Sequence, residues 1–138
     1  MRITGRISGP GAGNASQDFT GWESWTAASR KRFRSAGHGG VWVDIFVPPA
    51  SAETYDQGRA PVPVGFRVAK ATYDEKGNFL AVAGMQKMVA GYDAEHGDWY
   101  YVVVMRDGRT ATMQGPLPSC RDCHEQAKAR DYLFGVTN

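Results

Sequence analysis

The chain has few of the residues that would place it in a class at once. Of its 138 residues, only two are cysteines and three are histidines. At most one disulfide can therefore form, and a closed zinc site has few ligands to draw on. No apolar run approaches the roughly 18 residues that a membrane-spanning helix needs. Sixteen basic and 14 acidic residues leave a net charge of +2, which offers no basis for nucleic-acid binding.

The length and composition predict one ordinary globular domain. Hydrophobic residues make up 42% and charged residues 22% of the chain. Residues 1–15 are rich in Gly, Ser, Pro and Asn, which is typical of a flexible N-terminal arm. We therefore expect residues 16–138 to form a single domain, with no internal repeat.

Both cysteines stand in Cys120–His124, a Cys-x-x-Cys-His sequence near the C-terminal end. This pattern is the attachment site of a c-type haem, in which two thiols bond the vinyl groups and the next histidine supplies an axial imidazole. The motif predicts one haem c, attached through Cys120 and Cys123, with His124 as the iron ligand. It thus indicates a redox-active iron.

Three other uses of the motif stay open. A thioredoxin-like site belongs to a βαβ unit, and only 15 residues follow Cys123. A zinc site needs a fourth ligand, from His38, His96 or a carboxylate. A disulfide between the two cysteines leaves His124 unexplained. Haem attachment is favoured because the motif by itself supplies the two thiols and the imidazole that this attachment requires.

The residue pattern predicts strands between two helical ends. Helical spacing of Trp22, Trp25, Ala28 and Phe33 predicts a first helix over residues 17–34. Strands are predicted at 41–47, 64–72, 79–89, 98–105 and 110–113, a short helical turn at 52–57, and a C-terminal helix at 120–130. We expect an α+β, mainly β fold: an antiparallel sheet of about four or five strands with flanking N-terminal and C-terminal helices.

One lysine is out of place in this pattern. Counting in twos along the second strand from Val64 through Phe66 and Val68 reaches Lys70, so an amine falls on the apolar face. Lys70 either extends to water at the strand end or lies in a desolvated pocket. In such a pocket its pKa falls and the neutral amine becomes a nucleophile or ligand.

The C-terminal motif and the strand residues together resemble the cytochrome P-460 family, which includes cytochrome c′-beta. The resemblance covers about residues 20–135 and is carried by five segments: 65–70, 91–93, 97–100, 120–124 and 131–134. It implies a mostly antiparallel β domain, commonly dimeric, in which His124 is the only protein ligand and the distal side of the iron is open. In the P-460 branch a strand lysine is cross-linked to the porphyrin edge, and Lys70 matches that position.

The resemblance also directs attention to the distal pocket. Hydroxylamine-oxidising members use a distal carboxylate, but the corresponding region here, residues 80–85, contains no acid. Asp44 is the nearest candidate by strand position, although a place on the solvated face is the favoured explanation for it. In the c′-beta branch phenylalanine lines the pocket, and Phe46 and Phe66 are the candidates here. Either ring also suits a plain core position.

These observations lead to one principal function and two alternatives. The principal one is a mono-haem c-type cytochrome with an open distal site that binds or oxidises small nitrogen species such as hydroxylamine and nitric oxide. The alternatives are a non-catalytic nitric oxide binding protein and an electron carrier. The carrier would take a sixth ligand from His38, His96, Met85, Met88, Met105 or Met113.

The same hypotheses predict the partners of the protein and its cellular location. We expect a small-molecule ligand, a redox partner protein and a homodimer. Covalent haem attachment is normally carried out outside the cytoplasm, so we expect a periplasmic or otherwise exported protein. The residues after Met1 do not lead into the apolar segment of a signal peptide, which suggests that the signal has been removed.

Overall fold

The computed structural model describes residues 18–29, 31–35, 40–58 and 60–133. Its strands are β1 (Thr26–Ala27), β2 (Phe33–Ser35), β3 (Val41–Val47), β4 (Arg67–Tyr73), β5 (Phe79–Lys87), β6 (Trp99–Val104) and β7 (Ala111–Gly115). Within the described residues these seven strands form one antiparallel sheet in the order β1-β3-β4-β5-β6-β7, with β2 also paired to β3. The predicted mainly β fold is confirmed, and the predicted strand number is too low by the two short strands β1 and β2.

The predicted N-terminal helix over residues 17–34 is wrong. Its described part forms a 3-10 turn at Trp22–Ser24, followed by β1 and the start of β2. Gly21 precedes the turn with φ 83, a left-handed conformation that interrupts a right-handed helix. The Trp22 ring is buried and its Nε1 donates to the Arg106 carbonyl at 3.0 Å. The aromatic spacing therefore reflects one turn laid on the sheet, and the backbone after it pairs with the edge of β3.

The other elements follow the sequence pattern closely. The strand predicted at 41–47 coincides with β3, and the turn predicted at 52–57 is helix α1 (Ala52–Gln57). Helix α2 (Pro118–His124) continues into a 3-10 helix at Glu125–Arg130, which confirms the C-terminal helix. No helix among the described residues is long and apolar enough to cross a membrane. The arm at residues 1–15 lies outside the described residues.

The sheet has an apolar cluster on each face. The first, here called the aromatic face, carries a set that includes Phe19, Trp22, Ala69, Ala71 and Val102. The second, here called the motif face, carries a set that includes Ile45, Phe66, Val68, Met85, Tyr101 and Leu133, with Cys120 of α2 packed against it. Cross-strand pairing aligns Val68 with Met85 and Met85 with Tyr101. The haem motif thus lies over one defined face of the sheet.

Candidate functional site

Helix α2 presents the three motif side chains together. Cys120, Cys123 and His124 stand at positions i, i+3 and i+4 of the helix, a spacing that places them on one face. Both cysteines are free thiols of intermediate exposure, and His124 is buried. Since the thiols are free, the structure does not show the disulfide alternative. The face of α2 that carries these groups is directed towards the sheet.

His124 is held in the neutral form by its surroundings. Its Nδ1 lies 2.7 Å from the carbonyl oxygen of Tyr132. Burial lowers the pKa of His124 to about 4; the bond to Tyr132 acts against this shift, and the charge of Lys70 adds to it. Because a carbonyl only accepts hydrogen bonds, Nδ1 carries the proton and Nε2 carries a lone pair. A neutral imidazole with its lone pair on Nε2 is the form that binds a metal.

Tyr101 lies beside this imidazole on the motif face. The centroids of the Tyr101 and His124 rings are 5.6 Å apart. The Tyr101 hydroxyl is buried and has no hydrogen-bond partner in the described part of the chain. Burial raises the pKa of Tyr101 well above its usual value, and the charge of Cys120 contributes to the rise. Tyr101 was not among the predicted site residues, because its register against α2 is not readable from the sequence pattern.

Lys70 lies on the motif face, as the alternation along β4 predicts. Val68, two residues earlier, belongs to the apolar cluster of that face, and Ile45 is the cross-strand neighbour of Lys70. Burial lowers the pKa of Lys70, and the nearby thiols of Cys123 and Cys120 oppose that shift. An amine in such surroundings is neutral more readily than an exposed lysine. Lys70 and the motif side chains therefore share one site.

Of the other predicted site residues, the structure brings one to this face and separates two. Phe66 is buried in the same cluster as Cys120. Phe46 packs on the aromatic face, edge-on to Trp22 with ring centroids 5.4 Å apart. Asp44 lies two residues before Phe46 on β3, so its side chain points to the same face of the sheet. Its carboxylate pairs with the Arg32 guanidinium at 3.0 Å. Phe46 and Asp44 therefore point away from Lys70 and His124, because a strand alternates its side chains between faces.

The residues considered as a sixth ligand are also scattered. His96 lies with its Nδ1 3.0 Å from an Asp93 carboxylate oxygen, and His38 is outside the described residues. Met88 belongs to the aromatic face, and Met105 and Met113 are exposed. Met85 is the methionine of this set that packs on the motif face.

The donor set of the site fits a c-type haem. It combines two free thiols, an imidazole whose Nδ1 meets a backbone carbonyl, a buried phenol without a partner among the described residues, and an apolar sheet face. A porphyrin needs apolar walls, an axial ligand and a few polar contacts at its edge. For the zinc alternative, no group of three or more metal-ligating side chains converges within residues 18–29, 31–35, 40–58 and 60–133.

A known protein family matches most of the chain. A family model described as Cytochrome P460 matches residues 17–135. This span includes every strand of the sheet, Lys70 and the motif on α2. No curated protein matches the chain.

Proposed function

The chain belongs to the cytochrome P460 family of haem-binding c-type cytochromes, and from that premise we propose that it binds small nitrogen species at the open side of a single haem. The ligands are of the size and chemistry of nitric oxide and hydroxylamine. Cys120 and Cys123 would hold the haem covalently, and His124 would ligate its iron. The observation that carries the proposal is the position of Lys70, half-buried on the motif face near both thiols and His124.

Each residue of the site has a defined task in this proposal. The thiols of Cys120 and Cys123 would hold the haem as thioethers; addition to a vinyl double bond would place the S–H hydrogen on carbon and need no oxidant. His124 offers Nε2 while Tyr132 holds its other nitrogen. Phe66 and Val68 keep the sheet side of the pocket apolar, which excludes water. A bound haem supplies an iron that accepts one small ligand and exchanges electrons.

Lys70 is proposed to bond to the porphyrin edge. Such a bond would replace one N–H and one C–H by a single C–N bond and would release two protons and two electrons. Hydrogen peroxide balances this step, since it accepts both and forms two water molecules. The amine must be neutral to act as the nucleophile, and burial lowers the pKa of Lys70 in the required direction.

Ligand binding without turnover is the form of this function that we favour. Oxidation of hydroxylamine releases protons together with electrons, so a base must stand near the ligand. Asp44 lies on the opposite face and is paired with Arg32. Asp131 is paired with Lys87 at 2.7 Å. Neither carboxylate is therefore a ready proton acceptor for a ligand on the iron.

The absorption spectrum of the reduced protein, together with its intact mass, tests the role of Lys70. We expect a red-shifted Soret band and a mass lower by two hydrogen atoms than that of chain plus haem. Both features should disappear in Lys70→Ala and persist in Lys76→Ala, which removes an exposed lysine from the turn between β4 and β5. An unshifted spectrum in the wild type, or an unchanged one in Lys70→Ala, would rule out the bond.

Two further assays separate the function from its alternatives. Nitric oxide titration of the ferrous protein should give stoichiometric binding, and hydroxylamine turnover should be absent or slow. Rapid turnover would instead establish the enzyme. A low-spin spectrum that becomes high-spin in Met85→Ala would favour the electron carrier, because Met85 packs on the motif face.

We propose in addition that the protein is exported, exchanges electrons with a redox partner protein and forms a homodimer. The export proposal rests on the thioether chemistry at Cys120 and Cys123, which is normally carried out outside the cytoplasm. Cell fractionation tests the first point, and light scattering of the haem-bound protein tests the last. Recovery in the cytoplasm with haem attached, or a monomeric mass at high concentration, would contradict them.

A further inference from the structure

The turn after the 3-10 helix supplies the oxygen that His124 contacts, and its backbone is unusual. Asp131 has φ 55 and Tyr132 has φ 68. Both values lie in the left-handed region, which is unfavourable for residues with a Cβ and especially for a bulky one. Two consecutive residues of this kind persist only where the surrounding structure holds them.

Asp131 is held by contacts from three other segments of the chain. Lys87, at the end of β5, donates its Nζ to both carboxylate oxygens at 2.8 and 2.7 Å. The backbone N–H of Val62 donates to Oδ2 at 2.9 Å. Trp99, at the start of β6, donates its Nε1 to the Asp131 carbonyl at 2.9 Å. Side chain and carbonyl are thus both fixed to the sheet and its loops.

The next carbonyl in the chain, that of Tyr132, lies 2.7 Å from Nδ1 of His124. The peptide that joins Asp131 to Tyr132 is held at both ends, because the Tyr132 N–H also donates to the Ala127 carbonyl at 2.8 Å. The Tyr132 carbonyl belongs to the next peptide, whose Leu133 N–H donates to the Arg130 carbonyl at 3.3 Å, so its direction is fixed as well. We propose that the Lys87–Asp131 ion pair is a positioning pair for the axial ligand. It holds the left-handed turn so that the Tyr132 carbonyl accepts the Nδ1 proton and sets the direction of Nε2. This inference rests on the haem ligation by His124 proposed above.

The pair acts through geometry more than through charge. Its two charges are opposite and lie 2.7 Å apart; the Asp131 side chain is buried, with 6% exposure, and the Lys87 side chain is 12% exposed. Their fields therefore largely cancel at the distance of the imidazole. A hydrogen bond to the second nitrogen of a ligating histidine orients the ring and raises its basicity, and the loss of such a contact typically weakens metal binding by about 10–100-fold.

This range converts into a measurable shift. One proton competes with the iron for Nε2, so each tenfold weakening raises the pH at which the ligand is released in acid by about one unit. The midpoint of acid release should therefore rise by about one to two pH units when the pair is broken.

The experiment uses the haem-bound full chain and follows the absorption spectrum during acid titration, together with the reduction potential. In Asp131→Ala and Lys87→Met we expect the acid midpoint to rise as stated and the potential to shift. Lys87→Arg keeps the ion pair and should restore a midpoint close to the wild type. The matched control is Glu23→Gln, which breaks the exposed pair between Glu23 and Arg106 and should leave both readouts unchanged.

The outcomes separate positioning from a purely structural role. If Asp131→Ala unfolds more easily but keeps the wild-type acid midpoint and potential, the pair serves only stability and the inference is overturned. If Asp131→Ala does not fold, Asp131→Asn decides by the same two readouts, since its amide oxygen still accepts from Val62. His124→Ala tests the proposed function separately. If this variant leaves the absorption spectrum unchanged, His124 is not the iron ligand, and the proposed function fails rather than the role of the ion pair.

Discussion

Gly97 lies against the ring of Tyr132, and replacing it with alanine should loosen the turn that orients His124. Gly97 has φ +83, and a Cβ built there would lie 2.5 and 2.6 Å from two atoms of the Tyr132 ring. Gly77 offers a matched control, since its φ is +85 and a Cβ there meets nothing within 4 Å. Both substitutions introduce the same left-handed alanine, but only Gly97→Ala pushes on Tyr132.

The expected losses follow from these distances. A left-handed L-residue costs roughly 1–2 kcal/mol, and replacing glycine recovers about 0.4–1 kcal/mol from the unfolded chain. Gly77→Ala should thus destabilise the protein by about 1 kcal/mol. Overpacking adds roughly 1–3 kcal/mol, so Gly97→Ala should lose about 2–4 kcal/mol of unfolding free energy.

Urea unfolding of the haem-bound protein measures the difference between the two variants. The midpoint should fall further in Gly97→Ala, with an unchanged slope. The reduction potential should shift in Gly97→Ala alone, because displacement of Tyr132 moves the carbonyl that His124 contacts. Equal losses in the two variants would refute the reasoning, since the contact with Tyr132 would then carry no energy.

Three further predictions concern single side chains. Tyr101→Phe should stabilise the haem-free chain by roughly 1–3 kcal/mol in urea unfolding, since the buried hydroxyl has no partner in the described residues; a loss would contradict this. Burial raises the pKa of Tyr55 from 10.0 to about 12. Between these two pH values the folded protein keeps the Tyr55 hydroxyl proton, while the unfolded chain loses it. Stability should therefore fall by about 3 kcal/mol as the pH rises through the window, and Tyr55→Phe should flatten the decline in urea midpoints; an equal slope would count against it. Phe19→Ala should lower the unfolding free energy by about 3–5 kcal/mol, because its ring is fully buried; a loss below about 1 kcal/mol would show that the site collapses.

The strands were predictable because local composition and turns define them. The run at 41–47 is β-branched and aromatic and ends at two prolines, and its bounds agree with β3. The N-terminal segment, wrongly predicted as a helix, was not predictable in the same way. Tryptophans three residues apart suit both a helix and a single turn on a sheet. The choice between them depended on the free edge of β3, which pairs with β1 and β2.

The candidate site shows the same division. Alternation within β4 placed Lys70 with Val68, and this holds in the structure. Alternation alone does not show which residues of β3 lie on the same side of the sheet as Lys70. The register pairs Ile45 with Lys70 and Phe46 with Ala69, so Phe46 and Asp44 lie on the opposite face. The alternation within a strand shows which of its residues share a face. Only the cross-strand register shows which face of the next strand lies on the same side of the sheet.

By itself, therefore, the sequence determined the chemistry of the site: two thiols and an imidazole at helical spacing, and a lysine on an apolar strand face. Tertiary structure alone decided how the imidazole is held. The carbonyl of Tyr132 reaches His124 through a left-handed turn that Lys87, 44 residues before Asp131, keeps in place. Local preference disfavours such a turn, so contacts between distant segments were needed to form it.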